Sequence, residues 1–508
     1  MSPPSPSHPH PNSRFKKTIY TGTFISTPTL GALEVLENAT VGVDEGGVIR
    51  FVERDVRGLG GEKGLDSRKH EEKGLKEAVT FSNPDTHIHA SQYPNTGLFG
   101  NSTLLDWLQK YTFPLEASFS SLSRAQHVYT RVITRTLAHG TTTASYYATL
   151  HTPATNLLST LCFHHGQRAK IGRVCMDHPT FNMSYYRDES AEAAVSATQA
   201  TIAHCNSIDP ERGLVEPIIT PRFAPSCTSA LLHQLGALAK EYDLPIQTHI
   251  AENPDEVKLV GELFPDCTSY TDVYARHGLL TPRTVLGHAI WLSAEEKEVV
   301  KAHGAGVSHC PVSNSYISSG LCPVRSYLDL GIKVGLGTDV SGGWSGSMLV
   351  AAREALGVSR VLASVEGNKA KDAGEEAEKP KEEVEKEMKL ETTDEDKNES
   401  NRLKLSVEEA LYLATVGGAK CLNLESKIGT FEVGKEFDAQ MIVCGDFSLG
   451  DEDELGHGGK GKFEVRDDNP VELWGQESWQ ERMAKWVFCG DDRNVEAVWV
   501  RGRKVHER

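Results

Sequence analysis

The chain of 508 residues contains no long apolar run, and nothing in it approaches the roughly 18 consecutive apolar residues of a membrane span. It also lacks any Cys-x-x-Cys pair. Its ten cysteines are scattered without short regular spacing, which argues against a zinc ribbon or a disulfide framework and fits reduced thiols in the cytosol. Basic charge is in deficit: 53 Lys and Arg face 70 Asp and Glu, for a net charge of −17. A nucleic-acid partner would need a basic face, so none is expected; a small neutral substrate suits the balance better. Residues Met1 to Ser13 are rich in Pro, Ser and His and have no apolar segment of the kind a secretory leader carries. The expectation is a disordered tail over residues 1–15, a cytosolic location and no membrane association.

What is present is enough to build a large core and a second, smaller domain, with 39% hydrophobic and 24% charged residues. Residues 16–54 alternate strand-forming and turn residues, as in Leu33-Glu34-Val35-Leu36 and Val48-Ile49-Arg50-Phe51-Val52, while 57–77 is Gly-rich and charged and reads as a loop; 16–79 is expected to form the N-terminal part of a small β-domain. From about residue 80 the pattern changes. Short β-like runs near 80–89, 141–147, 170–176, 214–220, 245–250, 284–288, 305–309 and 332–337 alternate with helical spacing, for example over 228–241 and 293–303. Eight such repeats over 80–427 predict an α/β fold, a (β/α)8 TIM-like barrel. Residues 366–402 interrupt it with 14 acids and 8 bases among 37 residues, too polar to bury a core, so a disordered or loosely helical surface insertion is expected. A helix over 405–417 follows. Strand-like runs then return over 428–508, which predicts a small β-sandwich domain built from both ends of the chain.

The chemistry starts at Asp85-Thr86-His87-Ile88-His89-Ala90. On a strand, residues i and i+2 share a face, so His87 and His89 point the same way and could close on one divalent ion. Alone the pair says little, since 20 histidines produce about one such pair by chance, and His8-Pro9-His10 is a decoy in the tail. Its company carries the weight: His249 and Glu252 in Gln247-Thr248-His249-Ile250-Ala251-Glu252, His288 in Leu286-Gly287-His288, and Asp339 in Gly337-Thr338-Asp339. Singly, a strand-end His is more often a hydrogen-bonded surface residue, and an Asp after Gly-x-Gly-Thr is more often a turn or cap. Taken in order, all fall at C-terminal strand ends, where barrel enzymes place their sites. Three imidazoles and a carboxylate suit a catalytic zinc, with Glu252 relaying a proton and His288 orienting the attacking water.

This ordered set resembles the amidohydrolase superfamily. The flanks resemble its guanine-deaminase branch: His87-Ile-His-Ala-Ser-Gln-Tyr-Pro-Asn95, Tyr111-Thr-Phe-Pro-Leu-Glu116, Pro221-Arg-Phe-Ala-Pro-Ser-Cys227, Ser308-His-Cys-Pro-Val-Ser-Asn314 and Gly337-Thr-Asp-Val-Ser-Gly-Gly343. The resemblance spans residues 16–508 apart from the insertion. It implies hydrolytic deamination of guanine to xanthine and ammonia, with one zinc per chain held by His87, His89, His249 and Asp339. Glu252, His288 and Asp339 would be catalytic. Gln92 and Arg222 would hydrogen-bond the purine edge, Phe223 would pack on its face, and the chain would form a homodimer. A second metal is not expected, because 214–220 has no Lys to bridge as a carbamate. Two other readings compete: a related hydrolase acting on another aminated heterocycle, which would differ at Gln92, Arg222 and Phe223, and a non-catalytic barrel serving as an assembly partner, which would have lost ligands. A cytidine-type deaminase needs His-x-Glu with Pro-Cys-x-x-Cys, and the second half is missing. The lead-in Val79-Thr80-Phe81-Ser82-Asn83-Pro84 departs from the family pattern by being shortened, and Pro84 would remove a ladder donor in a central strand, so the first barrel strand is expected to be short or shifted. A one-residue shift would turn both histidines away from the ion.

Overall fold

The computed structural model describes residues 17–54, 71–81, 83–375, 401–446 and 469–508. The expected tail, part of the expected loop and most of the charged insertion lie outside these residues. Four parallel strands, β5 (Pro84–His89), β6 (Thr143–Tyr147), β7 (Arg168–Gly172) and β8 (Val215–Pro217), pair in chain order. Four more, β9 (Ile246–Ile250), β10 (Thr284–His288), β11 (Gly306–His309) and β12 (Lys333–Leu336), do the same. A parallel bridge between Ile219 and Ile246 joins the two sets. On the other side the chain beyond β12 meets β5: Asp339 N–H donates to His87 O at 2.8 Å, and His89 N–H donates to Val340 O at 3.1 Å. The eight strands therefore close into a barrel, the architecture expected from the alternating pattern.

The surrounding helices follow from apolar spacing and caps. Leu122–Ala138 buries Ala125, Val128, Tyr129, Val132, Ile133 and Leu137, a stripe at i, i+3, i+4 and i+7. Ser229–Glu241 starts where Thr228 Oγ1 accepts from Leu231 N–H, and Ala294–Ala302 starts at a Ser293/Glu296 capping box. Among the described residues, no helix is long and apolar enough to cross a membrane.

Seven strands from both ends of the chain form a second sheet: β1 (Thr18–Ser26), β2 (Glu34–Val43), β3 (Ile49–Glu53), β4 (Glu71–Phe81), β13 (Ala439–Ile442), β14 (Val495–Val500) and β15 (Arg503–Glu507). Their order is β15-β14-β13-β4-β1-β2-β3. Three strand spacings separate β1 from β14, about 14 Å in a flat sheet. Yet the Tyr20 and Trp499 rings lie 5.7 Å apart, and Tyr20 stacks on Phe437 at 4.4 Å, so the sheet curls around its own aromatic core. Buried Arg168, at the start of β7, pairs with Asp438 and Glu436 and ties the barrel to this sheet.

Three expectations need correcting. The run over 80–89 is two strands, not one: Glu71–Phe81 belongs to the curled sheet, and the barrel strand begins at Pro84. Proline is tolerated there because the first residue of a strand need not donate to the ladder. Residues 71–77 are not loop, since Glu71 to Gly74 pair with Thr18 to Thr21 through main-chain bonds that need no apolar alternation. Finally, 428–508 contains a helix as well as strands, Trp479–Cys489, capped by Ser478 and Glu481. Residues 366–375, the start of the stretch expected to be disordered or loosely helical, continue the helix Met348–Glu375.

Candidate metal centre and active site

His87 and His89 sit in β5, whose pairing with β6 shifts register between Asp85 and Ile88; both are buried, and both still face His249 and Asp339. His249 is in β9, His288 ends β10, and Asp339 lies three residues beyond β12. Strand pairing sets these side chains at one level. Backbone bends then aim them: Ala251, His288 and Asp339 have φ of 47°, 68° and 47°. Non-glycine residues rarely adopt that left-handed region, and such outliers cluster at functional sites.

The geometry converges on a single point. His89 Nε2 stands 3.1 Å from His249 Nε2, and Asp339 Oδ1 stands 3.3 Å from His87 Nε2 and 3.4 Å from His89 Nε2. One ligand atom from each of His87, His89, His249 and Asp339 lies within 4.8 Å of all the others. His249 Nδ1 is 2.7 Å from the Arg222 carbonyl, to which it can only donate, so in the neutral ring Nε2 carries the lone pair. Burial, followed by the neighbouring imidazoles, holds His89 and His249 well below the ordinary histidine pKa, so both are neutral rings. Burial would raise Asp339, but His87 and the other imidazoles hold it down at about 2, as a carboxylate. Lone pairs facing one another at these distances, with a carboxylate beside them, need a cation between them. The residues fit a divalent ion.

Glu252 and His288 flank this set, 3.4 Å apart, and His288 Nε2 is 3.7 Å from Asp339 Oδ2. Burial pushes the Glu252 carboxyl up to about 7, although His288 pulls the other way. A group poised there can both take and return a proton near neutral pH. Burial disfavours protonated His288, but Glu252 and Asp339 outweigh it and raise its pKa. His288 Nδ1 lies 2.8 Å from Asn314 Oδ1, which fixes the ring, and Ser319 Oγ donates to Glu252 Oε1 at 3.0 Å. The turn carrying Glu252 is held by Glu256, which accepts from Glu252 N–H at 2.8 Å within the capping box of the helix Pro254–Leu263.

These groups open on a small cavity of about 30 Å³. Leu104, Trp107, Leu108, Ile317 and Phe223 form its apolar walls, and Gln92 and Arg222 supply polar groups beside Glu252, His288 and Asp339. Every residue singled out from the sequence thus lies at this one cavity, save His87, which sits behind it with the other side chains that could hold an ion. Sequence reasoning gave no role to Asp85, Glu116, Asn314 or Ser319. Asp85 accepts from Thr338 N–H at 3.0 Å and from its hydroxyl, tying β5 to the Asp339 turn. Glu116 is wholly buried against Arg222 and Gln92. Its only signal was its place in the quoted stretch Tyr111–Glu116, since a single acid in a short helical turn carries no pattern.

Fold and site together define a metal-dependent hydrolase barrel. The amidohydrolase family model matches residues 84–505, and the chain belongs to that family. A probable guanine deaminase of Schizosaccharomyces pombe is 43% identical over 96% of this chain and 83% of its own length. The guanine deaminase of Dictyostelium discoideum is 36% identical over 96% of this chain and 98% of its own. Among solved structures, guanine deaminase from C. acetobutylicum with bound guanine in the active site superposes with a TM-score of 0.77 at 29% identity, covering 96% of this chain and all of that one.

Proposed function

We propose that this chain removes the 2-amino group of guanine by hydrolysis, giving xanthine and ammonia. The observation that carries the reading is the meeting, at one cavity, of four side chains that could hold a metal ion, the Glu252 carboxyl and the donor groups of Gln92 and Arg222. The named relatives at 36% and 43% identity over nearly the whole chain support guanine as the substrate.

His87, His89, His249 and Asp339 would hold one zinc ion. Bound there, such an ion supplies Lewis acidity that makes water a competent nucleophile near neutral pH. Glu252 takes the proton from the attacking water and hands it to a ring nitrogen of the base. His288, fixed by Asn314, orients that water and stabilises developing negative charge, and Asp339 accepts a hydrogen bond on the same side. Gln92 and Arg222 hold the purine edge while Phe223 packs on its face. The apolar walls exclude bulk water, which strengthens each of these polar contacts. Ten cysteines without a short regular spacing and a net charge of −17 support a cytosolic location. Exposed Leu98 and Tyr316, with Phe99 and Trp344 against the Tyr316 ring, support contact between two copies in a homodimer.

The test is loss of guanine absorbance with purified protein, before and after chelation and after return of zinc. Turnover abolished by the chelator and restored by zinc is the expected result. Turnover indifferent to chelation would overturn the metal assignment, and no turnover in zinc-loaded protein would overturn the substrate.

A further inference from the structure

Glu116 is the most heavily bonded carboxylate near the cavity, although it is no metal ligand and does not line the cavity. It accepts four hydrogen bonds. Oε1 takes one from Gln92 Nε2 at 2.9 Å and one from Arg222 Nη2 at 3.2 Å; Oε2 takes one from Arg222 Nη1 at 2.7 Å and one from Tyr186 OH at 2.7 Å. None of the four residues exposes more than 2% of its surface. We propose that Glu116 is the positioning residue for base recognition: it fixes Arg222 and Gln92 together, and it sets which atoms of Gln92 can meet the substrate. The proposal rests on guanine being the substrate.

Two physical points carry it. A carboxylate has no hydrogen to give, so the end of the Gln92 amide that meets it must be the NH2. Ser341 N–H, donating to Gln92 Oε1 at 3.3 Å, agrees with that orientation. Gln92 therefore offers its remaining N–H as a donor, not its carbonyl as an acceptor. Arg222 spends two of its five N–H groups on Glu116 in a fork geometry and keeps the others for a ligand. Two donors fixed side by side suit an edge with acceptors. Guanine presents one, O6 with N7, whereas adenine puts an amino donor at position 6. The second point is charge. An unpaired guanidinium at 2% exposure would be costly; burial alone would weaken its protonation, and the Glu116 carboxylate outweighs that. Phe113, in the same short helix as Glu116, lies 5.1 Å from the guanidinium and closes its other side.

Glu116→Gln keeps the shape but turns one carboxylate oxygen into an NH2 that must face an arginine donor. In zinc-loaded protein it should lower kcat/KM for guanine by about 10- to 100-fold, mostly through KM, because the lost contacts act before as well as during the reaction. Zinc content should be unchanged. The deciding measurement is a double-mutant cycle with Arg222→Ala: if Glu116 acts through Arg222, the double variant falls little below Arg222→Ala alone. Tyr186→Phe removes one of the four bonds without stranding a charge, and should raise KM by a few-fold at unchanged kcat; it serves if Glu116→Gln does not fold. Full additivity in the cycle, a wild-type KM in Glu116→Gln, or a wild-type KM in Tyr186→Phe where Glu116→Gln does not fold, would overturn the proposal. Failure of the wild type to turn over guanine would instead remove the substrate assignment on which it rests.

Discussion

Gly287 has no side chain because His87 fills the space a side chain would need. A Cβ there would lie 2.7 Å from His87 Cε1 and 2.9 Å from Nδ1. Gly287→Ala should therefore push the imidazole off its direction and weaken ion binding by about 10- to 100-fold, the range seen when support behind a ligand is lost. Elemental analysis after dialysis against dilute chelator reads the effect directly. Glu252 makes the opposite prediction. It is not among the four residues proposed to hold the ion, so Glu252→Gln should keep its ion while turnover drops by roughly 10²–10⁴-fold. An ion-free Glu252→Gln protein would reassign that carboxylate as a ligand. Arg222→Ala should lower kcat/KM on guanine by about 10- to 100-fold, with adenine untouched by wild type, since a buried donor facing an amine would stay unpaired. Comparable wild-type rates on the two bases would favour a broader heterocycle hydrolase.

At the scale of strands and helices, sequence pattern and structure agree where apolar runs end in marked residues. The strand expected over 284–288 is Thr284–His288, and the helix expected over 293–303 is Ala294–Ala302, bounded by the Ser293 capping box. The misreading at 80–89 has a plain cause: Val79-Thr80-Phe81 and Asp85 to His89 are both strand-forming, and a pattern of side chains cannot say that they join different sheets. Glu71 to Gly74 were unreadable because their pairing uses main-chain groups alone. The site shows the same divide. Histidines and an aspartate at strand ends announce themselves by spacing, whereas Glu116 matters only through three partners distant in sequence. Arg168 is another such residue. Arg168→Ala would strand buried Asp438 and nearby Glu436 between barrel and curled sheet, and should cost about 3–5 kcal/mol, read as a lower urea midpoint.

Over the whole molecule, charge is unevenly placed. Residues 366–402 carry −6 of the −17, and the rest stays acidic without them. Deleting 376–400 and joining the ends through a short Gly/Ser linker should leave guanine turnover and melting temperature nearly unchanged, because a stretch this polar has little to contribute to a core. Activity lost from a protein that still melts cooperatively would mean the segment serves the cavity or a contact between copies.

The closure of the barrel has a mechanical consequence. Its first and last staves meet along a seam of few main-chain bonds, Asp339 to His87 and His89 to Val340, and the side chains that could hold an ion come from both sides of that seam. An ion seated there is a rivet through the joint as well as a reagent. It binds the closed ring and not the open chain, so it should raise the melting temperature with the logarithm of free ion concentration. Stripped of it, the protein should begin to open at this joint. The amides of His89 and Asp339 would then lose their protection from hydrogen exchange before those of the β9–β10 pair on the far wall.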